Sequence, residues 1–253
     1  MRTNPMKAKL LAGEPALGCS VMIPSPQIVE MLAHAGFDWV LIDLEHGTIG
    51  LESAELMIMA AEASGIMPIA RPRSNRAADI SAVMDRGAMG VQVPHINTAE
   101  DARRAVAAVK FGPGDQRGLA AGTRPDSYGL RHSMGDFVRE SNAQSLVCVQ
   151  LEHAAAVENV QEILGVEGVD VFFIGPSDLS QSMGHPGHAQ APPVKAAIET
   201  MQRAIAGAGK CLGMPGSTDN IGSLLGVGVR YVYTHLPRVI GAGVAGFVNA
   251  ARR

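Results

Sequence analysis

A chain of 253 residues, 47% hydrophobic and 18% charged, carries enough apolar material for a large core, which excludes an intrinsically disordered protein. Its formal net charge of −3 offers no basic footprint for nucleic acid, and no apolar run approaches the roughly 20 residues that span a bilayer. The opening Met1-Arg2-Thr3-Asn4-Pro5-Met6-Lys7 lacks the apolar centre of a secretion signal. Cys19, Cys148 and Cys211 lie far apart in apolar runs, which reads as reduced core thiols in a cytoplasmic protein rather than as a disulfide or metal framework.

Strand-like and helix-like segments alternate along the chain. An apolar strand is predicted over 16–22, then a helix over 25–35 with Ile28, Val29, Met31 and Leu32 as apolar positions. Strand 39–43 precedes helix 51–64, strand 68–71 precedes helix 75–86, and strand 90–93 precedes helix 98–109. Thr98, with Asp101 three residues on, is a candidate N-cap. Gly65, Gly87, Gly165 and Gly209 stand where helix C-caps are expected. The stretch 111–142, rich in Gly, Arg and Asp, is too long for a plain connection and is predicted to carry loops and short helices over one face of the fold. Strand 146–151, helix 153–164, strand 169–174, helix 193–208 and strands 211–214 and 230–233 follow, and the tail 238–253 reads as a last helix. Eight strands alternating with helices predict a closed (β/α)8 barrel, the TIM-barrel architecture, with 1–253 as one domain. A doubly wound open sheet is the alternative.

In such a barrel the chemistry sits at the carboxyl ends of the strands. There the sequence places Asp43, Glu45 and His46 after strand two, Arg71 after strand three, Gln92 and His95 after strand four, Gln150 and Glu152 after strand five, Ser177 and Asp178 after strand six, and His235 after strand eight. Glu152 and Asp178 follow adjacent strands. Two carboxylates sharing one mouth repel unless a proton or a hard divalent cation lies between them; the alternative for Asp178 is a helix N-cap. His46 near Asp43 suits a general base, or is a surface loop histidine. Arg71 can stabilise an oxyanion, or form a salt bridge at the rim. Backbone N–H groups of Ser177 and Asp178 can face an anion, or belong to an ordinary loop.

Several motifs in order carry a family resemblance: 35–39 Ala-Gly-Phe-Asp-Trp, running on into 41–47 Leu-Ile-Asp-Leu-Glu-His-Gly, then Ala70-Arg71-Pro72, Met84-Asp85-Arg86-Gly87-Ala88, Val93-Pro94, Gly114-Asp115-Gln116-Arg117-Gly118, Gln150-Leu151-Glu152, Glu167-Gly168-Val169-Asp170 and Ile174-Gly175-Pro176-Ser177-Asp178-Leu179-Ser180. The chain resembles the HpcH/HpaI aldolases, metal-dependent class II pyruvate aldolases. The resemblance implies that Glu152 and Asp178 bind a divalent metal, Mg²⁺, Mn²⁺ or Co²⁺. It implies that Arg71 stabilises the enolate and that His46, supported by Asp43 and by Asp85 of a neighbouring subunit, handles the proton. Gln150 supports the metal and substrate region, and the Ser177 and Asp178 amides hold the substrate carboxylate. It also implies a homo-oligomer, trimer or hexamer, in which the C-terminal helix is exchanged between subunits.

The implied reaction is reversible aldol cleavage of 4-hydroxy-2-keto acids to pyruvate, or a related 2-keto acid, and an aldehyde. No lysine stands at a predicted strand tip, which argues against a Schiff-base aldolase. The alternatives are a citrate lyase β-subunit or malyl-CoA lyase type of carbon–carbon lyase, and a non-catalytic barrel that senses a keto acid. After strand eight the chain departs from the family: Tyr233-Thr234-His235-Leu236-Pro237-Arg238 stands where Gly-x-Asp is common, and His153 follows Glu152 where Thr or Ser is common.

Overall fold

The computed structural model describes residues 3–114 and 116–252. Met1, Arg2, Asp115 and Arg253 lie outside the described residues, so the 114–118 motif is described without its acid and the tail to Arg252. Eight strands, β1 (Ala16–Val21), β2 (Trp39–Asp43), β3 (Met67–Arg71), β4 (Gly90–Val93), β5 (Leu146–Leu151), β6 (Val171–Ile174), β7 (Cys211–Pro215) and β8 (Val229–His235), pair in parallel in chain order and close with β8 on β1. Closure settles the barrel against the open sheet.

Strand residues alternate between two apolar layers, as a parallel strand covered on both faces requires. Cys19, Val21, Val40, Ile42, Val147 and Val149 pack outward against helices. Trp39, Leu41, Ile69, Cys148, Phe173 and Tyr231 fill the interior. Trp39 lies 4.1 Å from Tyr231 between ring centroids, and Phe173 stacks on Tyr233 at 5.2 Å. Gly18 admits the indole: a Cβ there would lie 2.3 Å from Trp39 Cε2. Each such large apolar side chain stabilises the fold by about 1.5–3 kcal/mol relative to exposure. The interior is therefore a packed plug, and space for chemistry is left only at its ends.

Of the helices, α1 (Pro5–Leu11) was not expected; it buries only Met6 and Leu10, against the interior cluster, too few positions for a periodic signal. α2 (Pro26–His34), α3 (Leu51–Ser64), α4 (Ala77–Met84) and α5 (Ala99–Val109) fall where predicted, α5 opening on a reciprocal Thr98–Asp101 capping box. The 111–142 stretch holds a 3-10 turn, Arg124–Gly129, and most of α6 (Met134–Gln144). Arg124 Nη1 donates to Glu62 Oε1 at 3.0 Å, in the last turn of α3, and to the Arg86 carbonyl at 3.2 Å, just past α4. That part of the stretch therefore covers the amino end of the barrel, opposite the mouth. The helix expected over 153–164 is divided at Asn159, whose amide donates to the Asn97 carbonyl at 2.9 Å, into α7 (Ala154–Glu158) and α8 (Val160–Leu164).

Two further short helices, α9 (Pro176–Ser182) and α11 (Ile221–Gly226), follow β6 and β7. α10 (Pro192–Gly207) packs on β7, and α12 (Leu236–Ala251) ends the described chain. No described helix is long and apolar enough to cross a membrane.

Candidate active site

The interior is apolar until its last layer, where the side chains turn polar. β2 and β3 are in register with Asp43 opposite Arg71. Arg71 Nε donates to Asp43 Oδ1 at 2.9 Å and Nη2 donates to Oδ2, a two-point bond between buried groups. Burial alone would depress the guanidinium, but its hydrogen bond and charge contact with Asp43 hold it above its ordinary value. Asp43 Oδ1 also accepts the backbone N–H groups of Glu45 at 3.0 Å and His46 at 3.2 Å, which shapes the loop after β2.

The sequence pairs His46 with Asp43, and the structure joins them through the His46 backbone only. The imidazole, more than half exposed, instead faces Glu45, with Nε2 3.7 Å from Oε2. Glu45 is the junction of the mouth. Its Oε2 lies 3.3 Å from Arg71 Nε and its Oε1 3.0 Å from His95 Nε2. Burial raises the Glu45 carboxyl above its ordinary range, while Arg71, His46 and His95 pull it back.

Glu152, one residue past β5, is 2% exposed. Its Oε1 accepts the His95 backbone N–H at 2.8 Å and lies 3.3 Å from His95 Nδ1. Its Oε2 accepts from the Gln150 amide, Gln150 Oε1 accepts from Gln92, and Gln92 Oε1 accepts from the Tyr231 hydroxyl at 3.2 Å. This chain of amides joins the plug to the mouth. Burial raises the Glu152 carboxyl, and the Asp178 charge raises it further, against the hydrogen bonds from Gln150 and His95. Asp178 stands in the first turn of α9. The first helical bond there is Leu179 N–H to the Gly175 carbonyl at 3.1 Å, so the N–H groups of Ser177 and Asp178 precede the ladder.

Asp43, Arg71, His46, Gln150, Glu152, Ser177 and Asp178 thus share one end of the barrel. Asp85 does not join them in its own chain. It follows α4 at the opposite end, with Oδ1 3.4 Å from Arg117 Nη2. Glu45, Gln92 and His95, noted only as strand-tip residues, prove to be the connectors. The signal for His95 is conformational: its φ is +58°, an uncommon region for a non-glycine residue, and it brings the backbone N–H and the ring onto the same carboxylate. A cavity of about 590 Å³ beside Arg124 and Tyr128 lies at the other end and holds none of these groups.

A closed parallel barrel with acids, a fixed guanidinium and imidazoles gathered at its carboxyl mouth defines an enzyme of the (β/α)8 class. Residues 17–215 match the HpcH/HpaI aldolase/citrate lyase family, and the chain belongs to that family of carbon–carbon lyases. It is 37% identical over 195 residues to the hydroxypyruvate/pyruvate aldolase of Sagittula stellata, covering 77% of this chain and 76% of that one. It is 38% identical over 211 residues to the 4-hydroxy-2-oxo-heptane-1,7-dioate aldolase of Shigella sonnei, covering 83% and 80%. The crystal structure of a family protein from Burkholderia cenocepacia superposes with a TM-score of 0.93 at 30% identity, covering 99% of this chain and all of that one.

Proposed function

We propose that the mouth catalyses divalent-metal-dependent aldol cleavage and addition, interconverting 4-hydroxy-2-keto acids with pyruvate, or a related 2-keto acid, and an aldehyde. The observation that carries this reading is the placement of two acids, Glu152 just past β5 and Asp178 in the first turn of α9 after β6, at successive strand ends of one mouth, where burial and then the Asp178 charge raise the Glu152 carboxyl. Gly175 supports it: a Cβ there would sit 3.0 Å from Glu152 Cβ and 3.1 Å from Oε2, so the glycine keeps the carboxylate's place open. Among the described residues, no three His, Cys, Asp or Glu side chains gather to hold a metal by themselves. A two-carboxylate site suits a hard cation that keeps positions for water and substrate oxygens. Bound there, Mg²⁺, Mn²⁺ or Co²⁺ would supply Lewis-acid polarisation of the keto acid.

The chain's own residues do the rest. Asp43 occupies Nε and Nη2 of Arg71, which fixes the guanidinium and leaves Nη1 for the oxygen that gains charge in the enolate. His46, backed by Glu45, takes the proton of the substrate hydroxyl in cleavage and returns it in addition. Gln150 holds Glu152 in place, and the amides of Ser177 and Asp178 receive the keto-acid carboxylate. Asp85 completes the proton path from a neighbouring subunit of a trimer or hexamer. α12 supports that assembly: Val239, Ile240, Val244 and Phe247 are 40–79% exposed, an apolar face suited to exchange between subunits. The aldolase reading is preferred to a citrate lyase or malyl-CoA lyase activity because the relatives at 37–38% identity are named aldolases.

The test is a screen of pyruvate and hydroxypyruvate with several aldehydes, repeated for each metal and after EDTA treatment. Turnover that persists after the metal is stripped, or acyl-CoA release from malyl-CoA without aldol turnover, would overturn the reading.

A further inference from the structure

The end of β8 carries groups that the proposed reaction does not use. His235 is the last residue of that strand and pairs in register with Ser20 on β1. Both belong to the inner face. Tyr231 and Tyr233 precede His235 on it, and Cys19 and Val21, which flank Ser20, point outward. The His235 ring stands edge-on to Tyr233, with centroids 5.3 Å apart, so its place is set by packing. The Ser20 hydroxyl beside it is fully buried and has no hydrogen-bond partner. A buried hydroxyl without a partner costs free energy, so the pair makes an incomplete polar corner.

The charge around this corner is one-sided. The ionisable groups that act most on His235 are Arg238, Arg71, Asp43 and His46; of these only Asp43 is acidic, and Arg71 already holds it. Burial first, and then Arg238 and Arg71, keep the imidazole below its ordinary value. Arg238 is exposed in the first turn of α12, a 16-residue helix with no side-chain cap and no acid in that turn. The positive end of its dipole therefore adds to the same field. In strand order β8 and β1 lie across the barrel from β4 and β5, and so across the mouth from Glu152. This corner therefore faces, across the mouth, any keto acid that Glu152 and Asp178 would hold.

We propose that Ser20, His235 and Arg238 form a specificity subsite that receives an anionic group on the far end of the aldehyde partner. This rests on the aldolase reading and adds to it a preference for acceptors that carry a carboxylate or a phosphate. His235 and Arg238 contact the anion; Ser20 is a positioning residue whose free hydroxyl, beside His235 in register, becomes the imidazole's partner when the anion is bound.

The experiment compares kcat/KM for pyruvate addition within matched pairs: succinic semialdehyde against butanal, and glyceraldehyde 3-phosphate against glyceraldehyde. In at least one pair the anionic acceptor is favoured by about tenfold or more, the size of one charge-assisted contact. The pair that shows it tells carboxylate from phosphate. Arg238→Glu, at an exposed position that tolerates the change, lowers that ratio by about tenfold or more, and His235→Asn and Ser20→Ala lower it in the same direction. General damage to the enzyme cancels in the ratio, and a merely structural serine does not move it. The proposal is overturned by no anionic preference in either pair, or by a ratio that Arg238→Glu leaves unchanged. Deuterium exchange into the pyruvate methyl group by the metal-loaded wild type, with no aldehyde present, separates the two levels. Absent exchange sinks the aldolase reading; exchange without anionic preference sinks this subsite alone.

Discussion

Asp43 and Arg71 face each other across the β2–β3 ladder and bond at two points inside the protein, Nε to Oδ1 at 2.9 Å and Nη2 to Oδ2. The pair both closes the top of the core and sets the cation of the mouth. Removing one charge leaves the other buried without compensation, which costs about 3–5 kcal/mol. Asp43→Asn is therefore expected to lower the melting temperature clearly, as read by calorimetry. Arg71→Lys keeps a positive charge but loses the fork, so kcat is expected to fall about 10²-fold while most stability remains. Equal loss of stability in both variants would contradict this division of roles.

Glu152→Gln is expected to abolish magnesium binding in titration calorimetry while circular dichroism remains that of the wild type. In the wild type, binding is expected to depend on pH in the direction set by the raised carboxyl. Burial and Asp178 place its protonation above the ordinary 4.5. In that window the metal-free folded chain binds more protons than the unfolded chain, so this group's contribution to apo stability declines as pH rises through it. Metal binding needs the ionised form and strengthens over the same rise. The increase in melting temperature caused by magnesium should therefore grow as pH rises above the ordinary carboxylate range. An increase independent of pH would show that Glu152 is not a ligand.

Gly175→Ala tests the same site through shape. The added methyl would lie 3.0 Å from Glu152 Cβ, 3.1 Å from Oε2 and 3.5 Å from the Gln150 amide nitrogen. Glu152 must give way by a few tenths of an ångström. The expected result is a metal affinity lowered by about tenfold or more with a cost to the fold of only about 1–3 kcal/mol. Unchanged affinity would mean that the present carboxylate position is not the binding one.

Most of the barrel was legible because a packed interior tolerates few polar side chains. Asp43 and Arg71 end apolar runs and Gln150 stands next to last in one, and no folding requirement explains them there. What stayed hidden depended on contacts between distant segments. Sequence proximity joined His46 to Asp43, but the β2–β3 register hands Asp43 to Arg71 and leaves Glu45 beside the imidazole. The linking role of His95 rests on its left-handed backbone, which no pattern of residue types announces. Asp85 is adjacent to a strong motif and still lies at the far end of its own barrel, because α4 runs back against the strands. Helices α1 and α11 are too short for the periodicity that revealed α3 and α5.

The apolar face of α12 yields the last prediction. Of its 16 residues only Leu236 is buried, while Phe247 is 79% and Val244 55% exposed. Exposing such side chains in a row invites association, and a helix that gains so little from its own barrel is suited to packing on another subunit. Val244→Asp with Phe247→Asp places two charges on that face without touching the strand tips. Light scattering on a sizing column is expected to show the mass falling from an oligomer to a single chain. Because Asp85 is proposed to act across the interface, turnover should fall with it, while magnesium binding at Glu152 and Asp178 of each barrel persists. An oligomer that survives both substitutions would remove α12 from the interface; loss of metal binding on dissociation would show instead that the mouth itself needs the partner to form.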